Sequence, residues 1–550
     1  MLRWLAAFVL ALAIYLPGSN SPFSNTAESQ EALVAWEMSQ GGDWILPRVN
    51  GELIPSKPPF YHWIALGFSA LTGSVDELAA RLPSIVAAAS SVALVCTVGA
   101  SRWQPLAGVI AAVVLATSPE WAKWATTART DATFAFLLTA ALLIGERWLR
   151  TGSVRTLLAM AVLTGLATLA KGFAGAALVA LVLLIEIWRR GVWQRVRLTH
   201  LAAAGAVFGV IAGSWYGAAL GRAGHAFFYK QIVLENVLRF LPNEEGGPSR
   251  LHTPLFYVPM IFSGMLPWSL ALPHGMWRGH RERTAADGFP GYLVTWFAVV
   301  FLVCTAASGK RTNYVLPLYP AAALLVGRQL TALLEGGEAR SALRALRAAG
   351  WLSAALSAVF GALLVAWQVG MEPWRPMLPW LHPQDRVLLP KILALIGPPG
   401  NGVILVCAGL SLGLALATAQ RRWRGLYTLV GTALVLATLV AGATFRYLEA
   451  ALRSFAPFSQ RVAVAAGPAA LAFYRSSDLA VLFYLRRHVP VERGSFAAIA
   501  RPGWALVWQK DWDSLPTAER AGVAVVDESP PASVGREDTR LLLVRLTTGR

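Results

Sequence analysis

The feature that most constrains this chain is a recurrence of long apolar runs separated by short basic loops. A membrane-spanning helix needs about 20 mostly apolar residues. Windows near that length fall at 2–17, 77–100, 105–119, 131–149, 154–170, 172–188, 200–220, 253–272, 290–307, 313–333, 346–368, 400–419 and 424–444, so the sequence predicts about thirteen spans. Of 550 residues, 56% are hydrophobic and 14% charged, and mean hydropathy is +0.52, whereas soluble domains are roughly a quarter charged. The chain reads as a polytopic α-helical membrane protein. Trp4 to Leu16 resembles a signal-peptide core, but it has no convincing small-residue cleavage site and many similar runs follow. It is therefore expected to persist as the first helix.

A net charge of +18 could suggest nucleic acid. The basic residues instead occupy alternate short loops, at Arg147, Arg150 and Arg155; Arg189, Arg190, Arg195 and Arg197; Arg278, Arg281 and Arg283; Arg340, Arg344 and Arg347; and Arg421, Arg422 and Arg424. That pattern sets orientation in a membrane and places these loops in the cytoplasm. The opening stretch and the loops containing Lys123 to Asp131, Arg222 to Arg250 and Lys310 to Arg311 then face outward, as does the C-terminus. No nucleic-acid partner is implied. Cys96, Cys304 and Cys407 all lie in apolar runs without metal-ligand spacing, so they read as packing residues.

After Phe445 the composition changes. "RVAVAAG", "DLAVLFYLRRHVPV", "WALVWQ", "GVAVVD" and "RLLLVRL" are short β-branched runs between turn and helix-forming segments, which predicts a soluble α/β domain over 446–550 following a transmembrane domain over 1–445.

The first outer loop, about 28–73, is unusually charged. Glu28 to Gln40 carries Leu33 and Trp36 at helical spacing and ends at Gly41-Gly42, so it reads as an amphipathic helix on the membrane surface. "RVNGELIPSKPP" reads as a turn and extended chain, because Asn-Gly favours a turn and Pro58-Pro59 disfavours preceding helix. "FYHWIALGFSAL" returns to helix. Glu31, Glu37 and Glu52 taken singly read as solvating surface charges. Lys57, held between Ser56 and two prolines, cannot snorkel from a helix. Arg129 and Asp131 open an apolar helix, where ionisable groups default to functional. Lys171 is a lone cation between apolar stretches, and Lys310 and Arg311 open a later span. Interfacial anchoring is the plain alternative for the lysines. Carboxylates and cations gathered from distant loops on one membrane face suit an anionic lipid headgroup.

Taken in order, "ESQEALVAWEMSQGGDWILPRVNGELIPSKPPFYHW", "RLPS" at Arg81, "RTDATFAF", "LAKGFAG", "SGKRTNYVLPLYP" and "FYLRRHVPV" resemble membrane glycosyltransferases of the C class, in particular the 4-amino-4-deoxy-L-arabinose lipid A transferase (ArnT-like) family. The resemblance implies a multi-pass enzyme of the bacterial inner membrane whose active site and C-terminal domain face the periplasm. Such an enzyme moves a sugar with inversion from an undecaprenyl-phosphate carrier to a periplasmic glycolipid, glycan or protein. It further implies that Glu28 and Asp131 are the catalytic carboxylates. Lys57, Lys171 and Tyr314 would line the donor phosphate and acceptor site, with Arg129, Tyr61 and Glu235 around the substrate cavity. The chain departs from the family at four places. The usual Asp-Glu pair is Ala27-Glu28, the following arginine and tyrosine are Gln30 and Glu31, and the metal-site positions are Ser56 and Asn236. No zinc site or other cofactor is therefore expected.

Departure of a polyprenyl phosphate leaves a dianion, which cations in a water-shielded site stabilise best; Lys57, Lys171, Lys310 and Arg311 are the candidates. A hydroxyl acceptor would need a base, Glu28 or Asp131, whereas a phosphate acceptor would not. The departures at the metal and arginine positions favour a hydroxyl. Two other classes stay open: a lipid or sugar transporter, against which stands the lack of repeated halves, and a catalytically inactive binding or scaffold relative, suggested by Ala27.

Overall fold

The computed structural model describes residues 2–53, 57–238, 253–284, 288–335, 340–373, 375–376, 400–534 and 537–547. Ser56 of the metal-site reading lies outside them. Among the described residues, six helices are long and apolar enough to cross a membrane, or seven if the pair Pro105–Thr117 and Pro119–Ala125, bent by 69°, counts as one. About thirteen were expected. Several windows form shorter helices, such as Leu2–Tyr15 (α1, 14 residues) and Ala174–Arg190 (17 residues). The window at 253–272 is not one span, because helix Tyr257–Gly264 ends before Pro267 and a new helix begins at Leu272. Proline removes a backbone donor there, and Gly264 passes so close to Tyr319 that a Cβ would meet its hydroxyl at 2.5 Å.

The opening stretch folds as α2 (Thr26–Ser39), a two-stranded hairpin of β1 (Arg48–Val49) and β2 (Glu52–Leu53), and α3 (Phe60–Thr72). The Asn-Gly turn is as expected, with Arg48 opposite Leu53. The surface placement of α2 is not. Glu28, Ser29, Glu31, Leu33, Val34, Ala35 and Met38 are all buried. The helix is enclosed between the membrane bundle and the tail, where Leu33, Val34 and Met38 share one apolar core with Phe458, Val481 and Phe483.

The bundle continues with α4 (Glu77–Arg102), α5 (Pro105–Thr117), α6 (Pro119–Ala125), α7 (Thr130–Thr151) and α8 (Val154–Lys171). Close backbone packing of α4 on α5 depends on Gly108, where a Cβ would lie 2.1 Å from the Cys96 carbonyl oxygen. Helix Trp423–Arg453 runs unbroken across the expected boundary at 445. The tail then forms β3 (Leu471–Tyr474), β4 (Val491–Glu492), β5 (Gly503–Trp508), β6 (Val523–Glu528), the small ribbon β7 (Ala532–Val534) and β8 (Glu537–Thr539), and β9 (Leu541–Leu546). The sheet order is β4-β3-β5-β9-β6; β3 is parallel to β4 and β5, while β9 is antiparallel to β5 and β6. Two expected strands are helices instead. "RVAVAAG" completes helix Ala456–Ala466, and "LAVLFYL" is helix Leu479–Leu485, capped by Asp478 on two backbone N–H groups. Val462 and Val481 are fully buried in the core shared with α2 and the sheet while Val464 is exposed, and burial on that one face overrides β propensity.

Candidate functional site

Two charged arrays meet where α2, α4, α7, α8 and the Lys310–Tyr314 segment converge. The first is built on α2. Asn25 caps the helix, accepting from Glu28 N at 2.9 Å and donating from Nδ2 to Glu28 Oε2 at 3.1 Å. The Glu28 carboxylate also accepts from Arg81 Nε and Nη2 at 2.8 and 3.1 Å and from Ala128 N at 2.9 Å. Arg81 in turn donates to the Ser19 and Ser21 carbonyls at 2.9 and 2.6 Å. A carboxylate has about four lone-pair sites, and here four donors occupy them. Glu28, expected as a catalytic carboxylate, is a structural anchor by geometry. Burial raises its pKa, but Arg81, Arg446 and the Ala128 N–H together more than offset this and hold the group below its ordinary value.

The second array centres on Asp131 in the first turn of α7. It forms a close ion pair with Lys171, the last residue of α8, and its Oδ1 accepts from Asn313 Nδ2 at 2.8 Å. These are the positive and negative ends of two helices, so each charge suits its terminus. The Lys171 ammonium stands 5.1 Å from the Tyr314 ring centroid. Arg129 reaches both ways, its Nε 3.8 Å from Asp131 Oδ2 and its Nη1 3.7 Å from Glu31 Oε1. Asp131 Oδ2 is buried and accepts no hydrogen bond among the described residues. Lys57 Nζ lies 3.5 Å from Glu235 Oε2. Asn236, next to Glu235, accepts from Phe173 N at 3.2 Å, which places this pair beside Lys171. Asn236 Nδ2 also donates to the Gln231 carbonyl at 2.6 Å.

Asp131, Arg129, Lys171, Tyr314, Lys57 and Glu235 are thus brought together from five chain segments. Lys310 is buried and turns back to donate from Nζ to the Ala307 carbonyl at 2.8 Å, because the loop that carries it closes on itself. Tyr61 is fully buried, its hydroxyl donating to the Ala80 carbonyl at 2.6 Å; it packs α3 on α4, close enough to Glu31 and Arg129 for their charges to act on it. The sequence reading also missed residues. Glu31, taken as a surface charge, is 6% exposed, with His62 Nε2 2.8 Å from its Oε2. His62 stood within the quoted "KPPFYHW" and Asn313 within "SGKRTNY", so their motifs were visible although their roles were not.

Arg311, Arg81, Arg129, Lys123 and Arg446 line a cavity of about 750 Å³ whose remaining wall includes Ile14, Tyr15, Trp124, Leu434 and Ala437. Glu28 and Glu449 are its carboxylates; Glu28 is committed to Arg81, and Glu449 lies 3.3 Å from Arg453. Lys123, Arg311 and Arg446 form no ion pair within 4 Å among the described residues. The cavity therefore joins surplus positive charge to an apolar wall.

The family profile described as "Dolichyl-phosphate-mannose-protein mannosyltransferase" matches residues 56–216. The chain is 28% identical over 378 residues to the undecaprenyl phosphate-alpha-4-amino-4-deoxy-L-arabinose arabinosyl transferase of Aeromonas salmonicida, covering 66% of this chain and 65% of that one, just under two thirds of the relative's length. It is 26% identical over 408 residues to the protein of that name from Yersinia enterocolitica, covering 73% and 70%. In fold it resembles ArnT from Cupriavidus metallidurans bound to undecaprenyl phosphate, with 20% identity, 98% of each chain covered and a TM-score of 0.77. The sequence relatives support the ArnT-like resemblance read from the motifs, and the solved structure supports its fold.

Proposed function

We propose that this protein is an inner-membrane, inverting glycosyltransferase that takes a sugar from an undecaprenyl-phosphate carrier at the periplasmic face and passes it to a phosphorylated envelope lipid. The observation that carries the reading is the Asp131–Lys171 pair, shielded in the bundle and flanked by Tyr314 and Arg129, with Lys57 facing Glu31 and Glu235 nearby. Transfer breaks the bond between the anomeric carbon and the carrier oxygen, and the electron pair leaves with the carrier phosphate. Lys57 and Lys171 would stabilise that growing charge in a site where water screens little, while the acceptor oxygen attacks from the opposite face. Asp131 holds Lys171 in place. The names of the sequence relatives and the carrier bound in the Cupriavidus structure support the donor class.

The surplus cations Lys123, Arg311 and Arg446 beside an apolar wall favour a phosphate-bearing amphiphile such as lipid A as acceptor. A phosphate is already ionised, so this reaction needs no base. A hydroxyl acceptor is the second reading; Asp131 Oδ2, which has no hydrogen bond among the described residues, would then take the proton. Neither reading routes a step through a metal, since Asn236, at one metal-site position, spends its carboxamide on backbone groups.

The test is the purified protein in liposomes with undecaprenyl-phosphate-linked sugars and lipid A, followed by mass spectrometry, with and without EDTA. Mass gain on lipid A, unaffected by EDTA, is expected. Transfer to a dephosphorylated acceptor but not to lipid A would favour the hydroxyl reading. Movement of donor without a new glycosidic bond would indicate a transporter.

A further inference from the structure

The tip of the β1–β2 hairpin is bound to the tail domain by a contact that no catalytic reading uses. Asn50 and Gly51 take φ of +54° and +79°, the left-handed pair that a two-residue turn between antiparallel strands requires. Asn50 Nδ2 donates to the Val489 carbonyl at 2.6 Å, and Val489 N donates to Asn50 Oδ1 at 3.0 Å. One carboxamide thus satisfies both backbone groups of a residue more than four hundred positions away. His488 Nε2 lies 2.5 Å from the Asn50 carbonyl oxygen, and Arg493 pairs with Glu52. A Cβ on Gly51 would lie 2.7 Å from His488 Nε2, so the hairpin tip and the tail segment are in close contact. From the other side, Glu37 of α2 accepts from Asn50 N.

Lys57 follows directly from this hairpin, between Leu53 at the end of β2 and Pro58 and Pro59 at the start of α3. Only Ile54, Pro55 and Ser56 separate Leu53 from Lys57, so by chain length alone the two ends of this stretch bound where the Lys57 backbone can sit. One end is the membrane bundle through α3; the other is the hairpin, and the hairpin is held by the tail.

We propose that Asn50 is a positioning residue. By tying the hairpin to Val489 it sets where the Lys57 ammonium meets the donor phosphate, which makes the tail domain a working part of the donor site. The inference rests on Lys57 being a donor-phosphate ligand, as read above. A contact that served only to hold the tail in place would change stability and leave donor affinity untouched.

The test is a double-mutant cycle in the full-length protein, reading kcat and KM for the undecaprenyl-phosphate-linked sugar donor in wild type, Asn50→Ala, Lys57→Ala and the double variant. Asn50→Ala removes two hydrogen bonds and should raise donor KM about tenfold with kcat retained. Asn50→Asp, which keeps the acceptor for Val489 N, should fall between. In the double variant the Asn50 change should add nothing to Lys57→Ala, since residues acting through one contact are not additive. Full additivity, or an unchanged donor KM in a folded Asn50→Ala protein, would overturn the proposal. An unchanged KM and kcat in Lys57→Ala would instead overturn the donor-site reading, and this proposal with it. Should Asn50→Ala fail to fold, Arg493→Ala, at an exposed position on the same contact, takes its place in the cycle and is held to the same outcomes.

Discussion

Arg81 grips both oxygens of Glu28, Nε to Oε1 at 2.8 Å and Nη2 to Oε2 at 3.1 Å, and so pins the first turn of α2 to α4. The two residues are 53 positions apart, and both are buried.

That pairing predicts an acid-sensitive fold. Burial raises the Glu28 pKa, but Arg81 with Arg446 and the Ala128 N–H outweighs it, so the folded value lies below the ordinary 4.5. A group with a lowered folded pKa contributes stability that is fully present above its unfolded pKa and is lost as pH falls through the folded one. Glu31, lowered despite burial by His62, Arg129 and Lys57, adds to the same limb. Thermal melts of the detergent-solubilised protein from pH 7 downward should show stability dropping below about pH 4.5. Glu28→Gln should be about 3–5 kcal/mol less stable at neutral pH, with a flatter acid limb. An acid limb as steep as wild type would remove Glu28 from this account.

The Asp131–Lys171 pair separates stability from catalysis. Asp131→Asn leaves a buried ammonium uncompensated, which costs about 3–5 kcal/mol, whereas replacing both partners by neutral residues of similar volume is often close to neutral. Asp131→Asn/Lys171→Met should therefore recover most of the melting temperature lost by Asp131→Asn, yet recover none of the sugar transfer. Recovery of both would show that the pair is only a structural strut.

The surplus cations of the cavity should govern the acceptor and leave the donor alone. A charged hydrogen bond to phosphate is worth about 1.5–3 kcal/mol. Arg446→Ala and Arg311→Ala should each raise acceptor KM by roughly one to two orders of magnitude, with donor KM within about twofold of wild type. Steady-state kinetics with lipid A varied at fixed donor provides the measurement; a shift confined to donor KM would reassign the cavity to the carrier.

Orientation has a direct assay. Gln40, exposed after α2, and Arg281, exposed at the basic end of helix Leu272–Arg281, should lie on opposite faces of the membrane. Single cysteines there, exposed to an impermeant thiol reagent in spheroplasts, should label at 40 and not at 281. The reverse pattern would invert the topology and move the proposed site to the cytoplasm.

Much of this protein was determined by local sequence. Apolar runs placed α4, α7 and α8 within a few residues of their observed ends. Asn50-Gly51 specified a turn because only residues tolerant of positive φ can make it, and Gly41-Gly42 marked the end of α2. Asp131 and Lys171 stood out because a charge at the end of an apolar helix is costly without a purpose. Tertiary structure decided the rest. Glu28 looked like a base until Arg81, Asn25 and Ala128 filled its lone pairs, and Glu31 looked like surface until His62 and Arg129 met it in the interior. "RVAVAAG" had strand composition but took the helical packing its neighbours imposed, and Arg446 carried no local mark at all. The reason is common to each case. Helices and turns answer to the few residues around them, whereas a charge's role depends on which other charges the fold brings within hydrogen-bonding distance and how much water it removes. Those partners are set by chain segments far away in sequence.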